Sequence, residues 1–515
     1  MRPDGPGLER TWDAPHHHTS LDDALEYERF HNQEHLRAAS FRETPPSWQQ
    51  RIAHALNQIV LHFPPSWFTV IMGTGITSVL LYNFPYQAKW LQYIAYIVFV
   101  LSLVLFVLFC IISVIRYARW PILFRFLLRH TTHSMFLGAF SLAFITVVNA
   151  AIVTILPSWG YSFALFIWAM WWIASITCVF MSISITVVQF TRHEHTLATV
   201  TGVMIIPVIG PIVASGAGAN MASMLPSAHA RLTLVLSYIM WGIGFVLVMM
   251  TFAMFYQRLT IHKIPPAAMV VTIFLPLGPM GQASFALLKL SSVLLDICRQ
   301  SGAAFVGISE LSPDEARIMA LGLYGASIAS GLVLWGFALA WAIIAICLIV
   351  DLWMVSELAF NIGWWGFVFP VGQFCLATSQ LAKEFNSAAF RVLGSIFTVI
   401  EILLWLVMLS ITTYRAVRGD LFVSPGLLEA EGMPPKKGQI LGRVYNYEPR
   451  AHPAENGPAT DAPETSNTNQ SSANGGQGHA NGSTEQEDWN SESTAEEPQN
   501  ASRREAREGE GISSS

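Results

Sequence analysis

"FLPLGPMGQASF", residues 274–285, lies inside a long apolar run and sets Pro276, Gly278, Pro279 and Gly281 within one short stretch. Proline and glycine break helices. At membrane depth a broken helix survives only where protein covers it or where it lines a water-filled cavity. The stretch therefore predicts an interior helix of a membrane protein, one that other helices surround.

Composition agrees. Of 515 residues 53% are hydrophobic and 12% are charged, about half the charged fraction of a soluble protein. The fold class expected is an all-α integral membrane protein. Apolar runs near the twenty residues a bilayer needs fall at about 66–84, 90–116, 134–156, 162–187, 198–222, 231–256, 267–289, 320–350, 363–382 and 389–414. That makes ten transmembrane helices. Most connections are short, so consecutive helices pair as antiparallel hairpins. The 290–319 segment is the exception, and the cap residues of its "SELSPDEARIM" fit a short surface helix.

The membrane domain, 64–415, is flanked by polar segments. Residues 1–45 read as a mostly disordered tail with a His16–His17–His18 tract. Residues 46–63 put Trp48, Ile52, Leu56, Ile59 and Phe63 at helical spacing, which suggests an amphipathic interfacial helix. Residues 420–515 turn polar, and 451–515 carry too few aliphatics to order themselves. Asn469, Asn481 and Asn500 begin glycosylation sequons that are accidental if the tail is cytosolic. No cleavable signal peptide is visible. The scattered Cys110, Cys178, Cys298, Cys347 and Cys375 read as small apolar residues.

Ten crossings put both termini on one side. Arg116, Arg119, Arg125 and Arg129 favour an inside loop between the second and third spans. Lys289, Arg299, Arg317, Lys383 and Arg391 oppose them from the other side. Arg42, Arg51, Arg415 and Arg418 decide for cytosolic tails.

Interior prolines occur only in odd-numbered spans. The fifth holds Pro207, Gly210 and Pro211 in "MIIPVIGPIVASGAGAN". The seventh holds Pro276 and Pro279, and the ninth Pro370 in "WWGFVFPVGQF". The first has Gly73 and Gly75, and the third Gly138. The odd spans should therefore form an inner layer around a pore, with the even spans facing lipid. Small residues that serve only close helix packing would be the alternative. The path is almost uncharged. Glu401 in the tenth span is the one clear mid-membrane carboxylate, and with His133 it is a candidate for proton coupling. A neutral path suits a small permeant ion moving down its gradient. The break at 274–285 then supplies polar backbone where side chains stay neutral, with Gln282 and Ser284 as further donors. No phosphate loop, HExxH, GxSxG or metal-ligand spacing occurs, so neither an enzyme nor a metal site, cofactor or nucleic-acid partner is expected.

"MGTGITSVLLYNFPYQAKWL" (72–91), "FLGAFSLAFITVVN" (136–149), "IHKIPPAAMVVTIFLPLGPMGQASFALL" (261–288) and "GWWGFVFPVGQF" (363–374) resemble the tellurite-resistance/C4-dicarboxylate transporter family, which includes the plant slow anion channels. Among its branches the chain is most similar to the fungal sulfite efflux pumps. The likeness covers roughly 60–415. It implies five helical hairpins with kinked inner helices around a pore, and a homotrimer with one pore per subunit. A phenylalanine gate follows a double tryptophan; here that motif is Trp364, Trp365, Phe369 and Pro370, which makes Phe369 the gate and leaves Phe367 half a turn away. The substrate implied is a small inorganic anion, sulfite or bisulfite, exported across the plasma membrane. Malate and related dicarboxylates, chloride and nitrate are the family's other substrates. A receptor or scaffold using the long tail is the reading from a different class.

Overall fold

The structure, a computed structural model, describes residues 48–264, 267–301, 312–355, 360–419 and 421. All of these belong to one compact unit. The histidine tract, the three sequons and the disorder expected of both tails lie outside the described residues.

The protein is an all-α membrane protein, with no strand among the described residues. Ten helices fall where the apolar runs predict them: α1 (Phe68–Tyr82), α2 (Lys89–Arg119), α3 (Leu137–Thr154), α4 (Tyr161–Thr191), α5 (Ile205–Ala222), α6 (Ser227–His262), α7 (Leu277–Ser301), α8 (Pro313–Val355), α9 (Val368–Glu384) and α10 (Ala388–Arg418). Eight of these segments are long and apolar enough to cross a membrane. The other two, α1 with 15 residues and α9 with 17, are shorter.

Odd and even helices differ in length and burial for one reason. Each odd helix is preceded by a 3-10 segment: Pro65–Trp67, His133–Phe136, Gly202–Met204, Ala267–Phe274 and Ile362–Gly366. Part of each odd apolar run is spent on that tighter turn, so the α-helix that follows starts late. These five segments touch one another in a closed cycle. The helices behind them do the same: α1 packs on α3, α3 on α5, α5 on α7, α7 on α9 and α9 on α1. Every residue of α1 but Tyr82 is buried, and every residue of α5 but Asn220. Each even helix packs on the odd helix before it and on the next one, and turns its outer face outward. Phe180, Ile183, Val246, Val333, Ile396 and Leu403 are among the large apolar side chains exposed there. A hydrocarbon surround accepts such a face, whereas water would not.

Glycine sets the spacing inside the ring. A Cβ on Gly75 would stand 2.7 Å from the Thr146 side chain of α3, one on Gly281 2.8 Å from the Phe374 backbone of α9, and one on Gly372 2.7 Å from Ile76 of α1. Gly138 lies against Pro207 of α5, and Gly216 against Gln282 of α7. All five seams of the ring thus meet on a glycine, the close approach that small residues permit.

Two expectations change. The cap at Ser312 does not start a short surface helix: Glu315 N bonds Ser312 Oγ at 3.3 Å and Ser312 N bonds Glu315 Oε2 at 2.8 Å, a capping box at the start of the 43-residue α8. The prolines also do little kinking. Pro207, Pro279 and Pro370 are each the third residue of their helix, and Pro276 precedes α7. The first turn of a helix has no intrahelical use for an N–H, so proline fits there at no cost. Pro211 alone of these lies inside its helix. A helix, Trp48–Leu61, occupies the stretch ahead of the membrane domain, with Trp48 and Leu56 exposed. It ends against Trp120, Ile122 and Leu123, which flank or begin the short helix Pro121–Arg129.

Candidate functional site

A cavity of about 170 Å³ opens at the end of the ring away from the 3-10 segments. All five odd helices contribute to it: α1 through Val79 and Tyr82, α3 through Ile152 and Val153, α5 through Asn220, α7 through Phe285 and Lys289, and α9 through Leu376, Ser379, Gln380 and Lys383. One wall per ring helix is what the mouth of a central path requires.

The helical repeat extends these walls inward. Phe369 precedes Leu376 by seven residues, two turns on the same face of α9 and about 10 Å deeper. It is 3% exposed and makes no ring-to-ring contact among the described residues. Phe367 is occupied otherwise: its ring packs edge-on against Phe274 at 4.9 Å and Trp364 at 5.6 Å. Trp365 is fully buried, donates from Nε1 to Thr412 Oγ1 on α10 at 2.9 Å, and would meet a Cβ on Gly73 at 2.8 Å. The double tryptophan therefore anchors the start of α9 and leaves Phe369 on the face that runs to the cavity.

On α7, Gln282, Phe285 and Lys289 share one face at i, i+3 and i+7. Gln282 is 3% exposed, and its Oε1 has no hydrogen-bond partner. Gln373 on α9 is the same case. Ser284 is spent on α8, donating to Gly331 O at 2.7 Å. Gly210 meets Cys178 of α4.

The helix breaks supply less free backbone than the sequence suggests. The 3-10 carbonyls take the first helix N–H groups: Phe68 N bonds Pro65 O, Leu137 N bonds Ser134 O, and Ile205 N bonds Gly202 O. Three of the remaining donors are removed by proline itself. What the breaks place at this end is five helix starts, each with its partial positive charge, rather than a row of open N–H groups.

Glu401 is fully buried, but behind the ring. Its Oε1 lies 2.8 Å from Thr77 Oγ1 of α1. His133 sits in the 3-10 segment before α3, its ring tilted against that of His130 with centroids 4.3 Å apart. The structure brings neither to the cavity.

Lys289 and Lys383 are what the sequence reading missed. They count there as loop charges on the side away from the tails. The signal was present: Lys289 follows Gln282 and Phe285 at helical spacing, and α7 runs twelve residues past it.

A closed ring of small-residue-packed helices, sheathed in apolar helices and ending in a cavity that each ring helix lines, defines a polytopic membrane transport protein. The family model "Voltage-dependent anion channel" matches residues 62–413, and the chain belongs to that family. It is 37% identical to the sulfite efflux pump of Arthroderma otae over 364 residues, 70% of this chain and 93% of that protein. With the sulfite efflux pump of Saccharomyces cerevisiae it shares 25% identity over 67% of this chain and 86% of that protein. The malic acid transport protein of Schizosaccharomyces pombe is 23% identical over 76% of this chain and 86% of that protein.

Proposed function

We propose that this chain exports sulfite or bisulfite from the cytosol across the plasma membrane. The observation that carries the reading is the likeness to fungal sulfite efflux pumps along nearly their whole length. Ten helices cross the bilayer as five hairpins, and the odd helices enclose a path that Phe369 closes. A negative cell interior drives an anion outward by about 2.3 kcal/mol per 100 mV per charge, so no nucleotide or other cofactor is needed. The path is neutral at Phe369, where a fixed charge would trap the ion. Both termini are cytosolic. Arg116, Arg258 and Arg415, near the ends of α2, α6 and α10, support this: each bonds a carbonyl ahead of the 3-10 segment that leads into an odd helix, at Phe63, Lys263 and Phe360, so positive charge gathers on the tail side. Three copies assemble, one path in each.

The reading is tested by sulfite release from sulfite-loaded, transporter-null cells, with malate uptake followed in parallel. Faster sulfite release without malate uptake is the expected result. Malate uptake without sulfite release would turn the assignment to the second reading, a dicarboxylate transporter of the same fold coupled to protons through Glu401. The malic acid transport protein's likeness favours that reading at lower identity.

A further inference from the structure

The ring has two unlike ends. Its odd helices run parallel, so their starts gather at the 3-10 cycle and their later turns at the cavity. Helices α1, α3, α5 and α9 end there, while α7 passes on to Ser301. A helix C-terminus carries about half an elementary negative charge, so four of them present roughly two to whatever occupies the cavity. An anion leaving the path meets that field head-on. An anion transporter built from this ring has to cancel it.

Two lysines stand at the right place. Lys289 of α7 and Lys383 of α9 line the cavity from neighbouring helices. Neither Nζ has a hydrogen bond or ion pair among the described residues. Glu384 is the acidic group whose charge reaches both lysines, and Asp296 reaches Lys289 as well; each has other partners. Glu384 accepts from Tyr324 of α8 at 2.7 Å and from Gln380 at 2.6 Å, and Asp296 pairs with Arg299 at 3.5 Å. The amides on the cavity wall are committed as well. Asn220 Nδ2 donates to Asn149 at 2.9 Å, Asn83 Nδ2 to Val79 O at 3.2 Å, and Gln380 Nε2 to Glu384. Two ammonium groups remain with donors to offer an ion in the cavity, and their positive charge opposes the field of the four helix ends.

We propose that Lys289 and Lys383 form a binding site for a small oxyanion at the tail-distal mouth of the ring, and that they turn a helix-terminal field that repels anions into one that receives them. The site takes an ion with two or three acceptor oxygens, one set for each ammonium. Its volume, about 170 Å³, is below the roughly 300–1,000 Å³ of a site for a drug-sized ligand. The inference rests on the anion-transport reading above. It adds that release is governed at the mouth, apart from the gate at Phe369.

The test is sulfite binding to the purified full chain in detergent, measured by calorimetry, with malate and chloride as parallel titrants. Variants are Lys289→Gln, Lys383→Gln, their combination, and the double Lys→Arg exchange; melting temperature reports folding. Each single Gln variant weakens sulfite binding about tenfold, the double about a hundredfold, and the Arg pair stays within about threefold of the parent, because guanidinium keeps charge-assisted bonds to an oxyanion. A double Gln variant that melts like the parent and binds sulfite within threefold of it overturns the site. If the Gln variants melt low, the Arg pair decides: retained binding supports the site, and binding as weak as with Gln overturns it. A parent chain that binds malate or chloride but not sulfite, with the same lysine dependence, keeps the site and removes sulfite as the substrate. A parent that binds none of the three overturns the site.

Discussion

Gly138 of α3 lies against the backbone of Pro207 of α5, and a Cβ at Gly138 would overlap the proline Cα. Backbone cannot swing aside as a side-chain tip can, so Gly138→Ala must push α3 and α5 apart. Overpacking of this kind costs about 1–3 kcal/mol. Gly336 of α8 is the control, with nothing within 4 Å of its would-be Cβ. There alanine only improves helix propensity, by up to about 1 kcal/mol. Purified Gly138→Ala should melt below the parent and lose anion flux, whereas Gly336→Ala should melt at or slightly above it.

The proposed gate makes a prediction that separates neighbouring phenylalanines. Phe369→Ala removes the ring that closes the path and should raise passive sulfite flux into liposomes severalfold. Phe367→Ala removes instead a partner of Phe274 and Trp364. It should lower the melting temperature, the folded state losing at most the about 3–5 kcal/mol of a buried Phe→Ala change, without raising flux. Equal flux in the parent and in Phe369→Ala would exclude it as the gate.

The alternation of buried and lipid-facing helices was legible because its cause is local in the sequence. Close packing in a ring demands glycine, and a helix that starts below its apolar run demands proline, so Gly138, Gly278, Gly281 and Pro207 mark the odd spans. Where helices begin was less legible. A 3-10 segment such as Ala267–Phe274 is as apolar as the helix it precedes, and hydropathy does not tell them apart. What lines the path was least legible. Glu401 and Lys289 both look like isolated charges on apolar helices. Only the packing shows that one is turned to Thr77 behind the ring and the other into the cavity.

Glu401 is the residue over which proton coupling and simple structure part company. Thr77 Oγ1 lies 2.8 Å from both Gly73 O and Glu401 Oε1. One hydroxyl hydrogen serves one of them. Both contacts are made together when Thr77 donates to Gly73 O and the side chain at 401 donates to Thr77. A carboxamide can do that, so Glu401→Gln should fold normally and keep sulfite efflux within about twofold. Glu401→Ala leaves Thr77 bonded to Gly73 O alone, removes the partner of its oxygen and opens a cavity, and should cost about 1–3 kcal/mol. Efflux lost in the Gln variant, at an unchanged melting temperature, would show that the carboxyl carries a proton in transport.

Acid should loosen the joint before α1. His62 is half-buried just ahead of Phe63, whose carbonyl accepts from Arg116 at 2.6 Å. Burial, and then the Arg116 guanidinium beside it, push the His62 imidazole down from 6.5 to about 4. A group whose folded value lies below its unfolded value binds more protons in the unfolded chain throughout the interval between them. Stability from His62 is therefore whole above about pH 6.5 and is lost as pH falls toward 4, with a slope of at most one proton. His195 is lowered too, by burial and by His193, and adds acid sensitivity of the same sign. His62→Gln cannot be protonated, so its melting temperature should fall less than the parent's between pH 6.5 and 4, while the two curves run parallel above pH 7. Curves parallel over the whole range would mean that His62 takes up its proton in the folded chain without cost, and that Arg116 holds Phe63 regardless of the charge beside it.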